Sequence, residues 1–178
     1  MTIYAADRDE VARRVGSRDI TTVERVAETA EVPLGTDQRQ ALAALLNREY
    51  TRHPRTLEHD SAPHLIRAFG RLCRLSSSAS TTVEMYDDPD ATPVLWNFIW
   101  SDWDGADMLA LPLSPYGNPA VTWHGPQLTA KFRAEFTAWR SGGSLDETYL
   151  MGYELDSIID ILGTAEEQGR GVFVFYEE

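Results

Sequence analysis

The chain has 178 residues, 43% of them apolar and 25% charged, with a formal net charge of −12 and one cysteine, Cys73. That length suits one domain that buries a core without metals or cross-links, and five Trp, seven Tyr and six Phe exclude a disordered chain. The acidity argues against non-specific nucleic-acid or membrane-surface binding, no apolar run approaches the roughly 18 residues of a membrane span, and a lone thiol fits a reducing cytosol.

Ile3 to Ala6 reads as a short strand. Asp7 follows as an N-cap, with Glu10 three residues on as in a capping box. Val11 and Val15 face inward before Gly16 stops this helix. A second helix after Asp19 is expected to turn Ile20, Val23, Val26 and Ala27 to one side, and Pro33-Leu34-Gly35 ends the run. Thr36 is the expected cap of a third helix whose Ala41, Leu42, Leu45 and Leu46 form a 3.6-residue stripe. Residues 51–60 are polar and loop-like. Asp60 or Ser61 then caps a fourth helix with Pro63 in its first turn, burying Leu65, Ile66, Phe69, Leu72 and Cys73.

Ser76 to Ser80 reads as a turn or short linker. Thr81 to Tyr86 is rich in strand formers, and Asp87-Asp88-Pro89-Asp90 ends it. Val94 to Trp100, apolar apart from Asn97, is expected to be a central strand with Trp96, Phe98 and Trp100 on one face. Asp104-Gly105 marks a turn back into Met108 to Leu113, so antiparallel hairpins are expected here. Ala120 to Trp123 adds a short strand. After Pro126, Leu128, Phe132, Phe136 and Trp139 recur at helical spacing. Ser144 and Glu147 begin a last helix running to about Gln168, with Leu145, Tyr149, Leu155, Ile158, Ile159 and Leu162 inward. Gly169-Arg170-Gly171 releases the chain into a final strand, Val172 to Tyr176.

The long helix, basic-glycine turn and apolar strand of this ending resemble the YfbM-like group of uncharacterised bacterial proteins. Val15-Gly16-Ser17-Arg18-Asp19, after a strand and helix, resembles the opening of actinobacterial proteins of unknown function. Fifteen Arg against one Lys fits the GC-rich genome of such a source. The resemblance covers about the first 20 and last 30 residues and implies helices around a mixed sheet; it carries over no catalytic residue. The expected fold is therefore one α+β domain, residues 1–178, with a mixed, mostly antiparallel sheet against five to six helices. Its parts are a helix-rich opening over 7–75, a sheet-rich centre over 80–125 and closing helices with a last strand over 126–178. No secretory signal is expected, because Met1 to Tyr4 opens neither a basic nor an apolar stretch.

Charge is unevenly divided. Residues 1–75 hold 11 acidic residues and 12 Arg, whereas residues 76–178 hold 17 acidic residues against Lys131, Arg133, Arg140 and Arg170. A basic protein partner would be steered to the second half. Within it, Trp100, Asp102, Trp103, Asp104 and Asp107 place aromatics among carboxylates, a composition suited to guanidinium groups. With Trp123 they are the expected binding residues of an acidic, non-enzymatic interaction module resembling an immunity protein or inhibitor. The Asp102–Asp107 run lacks the spacing of an EF-hand loop and reads equally as a self-capped turn.

The alternative is a small-molecule-binding protein or hydrolase with a pocket between the Trp-rich sheet and the helices. His124 is then the candidate general base, with Asp102 or Asp104 beside it. No nucleophile elbow, phosphate loop or dinucleotide fingerprint accompanies it, and no cofactor is expected. His53, His59 and His64 are spaced too widely for a usual zinc site, so no metal is expected. Arg67, Arg71 and Arg74 fall on one helical stripe. They are placed to grip a phosphate or carboxylate ligand, to face the acidic half of the same molecule or to line a solvated face. Cys73 reads as a core thiol.

Overall fold

The computed structural model describes residues 1–30, 33–49, 62–85, 93–100, 120–142 and 152–177. Its framework is a four-stranded antiparallel sheet of β1 (Thr2–Ala6), β2 (Ser77–Thr82), β3 (Ala120–His124) and β4 (Gly171–Tyr176), in spatial order β2-β1-β4-β3. Seven helices among the described residues complete the chain: α1 (Arg8–Arg14), α2 (Thr21–Thr29), α3 (Thr36–Asn47), α4 (Ala62–Ser76), α5 (Pro93–Trp100), α6 (Pro126–Ser141) and α7 (Gly152–Glu167). The expected α+β class is observed.

Strand alternation separates two cores. Tyr4, Ala6, Phe173, Phe175, Val121 and Trp123 belong to the cluster formed with α1 to α4. Ile3, Ala5, Val172, Val174 and Tyr176 join α5, α6 and α7 on the opposite face. β4 therefore lies between two helical layers and is buried almost throughout, which is why its sequence is uniformly apolar. Phe69 of α4 meets Phe173 edge-on at 5.6 Å, and Phe98 of α5 meets Phe136 of α6 in the same way at 5.1 Å.

Local chemistry sets the helix ends. The Asp7 carboxylate accepts from the amides of Asp9 at 2.8 Å and Glu10 at 3.1 Å, so the expected N-cap forms. Glu10 does not close the box; it pairs with Arg14 at 3.1 Å. Asp19 accepts from the Thr21 amide and from the Thr21 and Thr22 hydroxyls, which holds its carboxyl below the usual range. α3 starts at Thr36 itself, with Gly35 as its cap residue and the Gln38 side chain accepting the Gly35 amide at 3.2 Å. Gly16 takes φ +79°, and the Arg48 side chain lies where a Cβ on it would stand.

Four expectations are corrected. Val94 to Trp100 lies in helix α5, not in a strand: Leu95, Phe98 and Ile99 are buried while Trp96 and Asn97 are exposed, the i, i+3, i+4 pattern. Trp96, Phe98 and Trp100 consequently do not share a face, although Trp96 and Trp100 meet one turn apart with tilted rings whose centres are 5.5 Å apart. Ser77 to Thr82 is an edge strand, not a linker, running straight on from α4 and paired with β1. Among the described residues the antiparallel strand pairs are joined through helices, not hairpins. Ile20 precedes α2 and is 67% exposed, whereas Val23 and Val26 are buried as expected. Tyr86 to Thr92, Ser101 to Pro119 and Gly143 to Met151 lie outside the described residues, and with them the expected strand over 108–113 and the Ser144–Glu147 cap.

Candidate functional site: an arginine-lined cleft

The buried face expected for α4 forms as read: Leu65, Ile66, Phe69, Leu72 and Cys73 all enter the first core. Helical periodicity then sends Arg67, Arg71 and Arg74 to another side of the helix. There they line a cleft of about 370 Å³ between α4 and the sheet. Thr2 and Tyr4 of β1 and Phe175 of β4 supply its sheet wall, Ile66 and Gly70 its helix wall, and Glu177 stands just after β4.

Each part has a packing reason. Gly70 brings α4 close to the sheet: a Cβ there would already lie 3.4 Å from the Phe175 ring. Phe175 is held edge-on by Tyr4 at 5.5 Å and tilted against Phe69 at 5.9 Å, which fixes an aromatic wall. Thr2 shares a hydroxyl–hydroxyl contact of 3.3 Å with Thr82 on β2. Burial raises the Tyr4 phenol, the nearby Cys73 adds to this, and Arg74 and Arg71 oppose it. Those two guanidinium groups therefore act on the phenol across the cleft.

Arg67 is engaged. Its Nε donates to Glu177 Oε2 at 3.3 Å and its Nη2 donates to Glu177 Oε1, a two-pronged contact that holds the guanidinium more firmly protonated than usual. One arginine of the stripe thus pairs with a carboxylate from the acidic half of the chain. Arg71 is half-buried, and among the described residues no carboxylate lies within ion-pair distance of it. The sheet side of this cleft is not legible in sequence spacing, because its residues come from the first and last described strands.

The other expected residues lie elsewhere. His124 is 0% exposed, its ring stacked on Phe98 at 5.0 Å and tilted to Phe132 at 4.7 Å. Its Nε2–H donates to the Phe98 carbonyl at 2.6 Å, while the Thr122 hydroxyl donates to that of Ile99. Both belong to the last turn of α5, whose carbonyls have no partner within the helix, so His124 works as a side-chain cap inside the core. Trp123 packs on Phe173 at 4.5 Å, and Trp100 packs on Tyr176 at 5.8 Å. Asp102, Trp103, Asp104 and Asp107 lie outside the described residues, as do His53 and His59. In the described part of the acidic half, Arg133 pairs with Glu166, Arg140 with Asp156 and Lys131 with Glu135. Among the described residues no group of three His, Cys, Asp or Glu is placed to hold a metal, and no helix is long and apolar enough to cross a membrane.

Comparisons of the chain with protein families, with curated proteins and with solved structures find no match.

Proposed function

We propose that this chain is a binding protein for a small organic oxyanion, a carboxylate or phosphate monoester carried on an apolar or aromatic body. The supporting observation is the cleft between α4 and the sheet, with Arg67, Arg71 and Arg74 along one side and Tyr4 and Phe175 on the other. Guanidinium forks match carboxylate and phosphate oxygens in pairs. The volume of about 370 Å³ lies at the small end of ligand pockets and suits a single ring with its charged head. Arg71 is the central contact, because it stands between Arg67 and Arg74 on the stripe and is half-buried.

Phenyl phosphate and benzoate, titrated into the labelled protein at low salt, test this by amide shifts. The expected result is saturable movement at Thr2, Ile66, Gly70 and Phe175, absent with neutral benzyl alcohol. R71Q weakens binding by about tenfold or more, the scale of a lost charge-assisted hydrogen bond. Shifts that avoid these residues, or an R71Q variant that binds as the parent does, would overturn the assignment.

A further inference from the structure

The cleft carries its own carboxylate. Phe175 and Glu177 are two residues apart at the end of β4, so strand alternation sends both to the α4 side. Phe175 becomes wall, and Glu177 closes on Arg67 through both of its oxygens. The side-on donor pair of Arg67, Nε–H and Nη2–H, is thereby taken, and Glu177 neutralises the guanidinium charge that would attract an incoming oxyanion. A ligand charge brought beside Glu177 also meets like charge at short range.

We propose that Glu177 determines the specificity of this cleft: by occupying Arg67 it confines the ligand's charged head to the Arg71 side, so that a single phosphate or carboxylate is accepted and a diphosphate is rejected. The proposal rests on the binding function above, and it adds a charge rule to it. A diphosphate is long enough to reach from Arg71 towards Arg67, one helical turn away, and there it encounters the Glu177 carboxylate instead of an open fork. Glu177 acts here as a positioning and excluding group, and no covalent step is involved.

The experiment compares the parent protein, E177Q, R67Q and the double variant, each titrated with phenyl phosphate and with inorganic diphosphate. Glu177 and Arg67 have side chains 44% and 46% exposed, so these variants keep the fold, checked by circular dichroism. The parent is expected to prefer phenyl phosphate. E177Q gains at least about tenfold more for diphosphate than for phenyl phosphate, and that differential gain disappears when Arg67 is also Gln. If the parent binds phenyl phosphate but E177Q gains nothing for diphosphate, the Glu177 rule is wrong and the binding function stands. A gain that persists in the double variant also overturns the rule, since Arg67 then plays no part. If no variant binds either probe, the cleft is not an oxyanion site and both readings fall together.

Discussion

Tyr4 links the chemistry of the cleft to the packing beneath it. Its ring is half-buried against Phe175 and its hydroxyl is influenced by two arginines. Burial dominates, so the folded phenol titrates above its unfolded value. The neutral phenol therefore favours the folded state fully below the ordinary tyrosine range, and that contribution is lost as pH rises through the higher folded pKa. Tyrosinate absorbance should show a late-titrating component that is missing in Y4F. In R71Q its midpoint should move higher still, because a cation that favours the phenolate has gone. A Tyr4 midpoint unmoved in R71Q would place that guanidinium away from the phenol. Cys73, beneath the same helix, is fully buried and its thiol is pushed well up, which makes it the core thiol that its apolar neighbours implied.

Close approach of strands fixes what an element tolerates, and Gly171 is the sharpest case. A Cβ at Gly171 would stand 2.2 Å from the His124 carbonyl oxygen and 2.6 Å from the Trp123 ring, so β3 or β4 must shift to accept it. G171A should cost about 2 kcal/mol and lower the melting temperature by roughly 4–8 °C for a chain of this size, measured by thermal unfolding. An unchanged melting temperature would show that the strands separate freely. Elements whose apolar residues repeat over several turns were legible: α3, α4, α6 and α7 bury the residues their spacing named within the described part. Val94 to Trp100 misled because seven residues are too few for periodicity to separate a helix from a buried strand. Leu95, Phe98 and Ile99 already held the helical spacing, and Pro93 suited a first turn. Ser77 to Thr82 misled for the opposite reason. β2 is an edge strand held by backbone pairing with β1, so its small polar side chains need bury little. Of the cleft, only the arginine stripe was visible, since Arg67 and Glu177 are 110 residues apart and meet only through the pairing of β1 with β4.

At the scale of the molecule, the net charge of −12 and the basic cleft work against each other. An oxyanion is repelled at a distance and held at contact. Salt screens the long-range part first, over a Debye length of about 8 Å near physiological strength. The association rate of phenyl phosphate should therefore rise between about 10 mM and 150 mM salt, and its dissociation rate should rise as well, both read from exchange line shapes. A falling association rate would mean that the cleft mouth is positive at long range. The same sheet that shapes the cleft also joins the extremes of the chain, with Thr2 opposite Phe175 and Ile3 opposite Val174. During synthesis, at about 5–20 residues per second, the first strand waits roughly ten to thirty seconds for the last one. β2 emerges far sooner and can zip along one border of β1, but the other border stays bare until β4 has been made. Throughout that interval the nascent polypeptide carries half of its central seam unclosed.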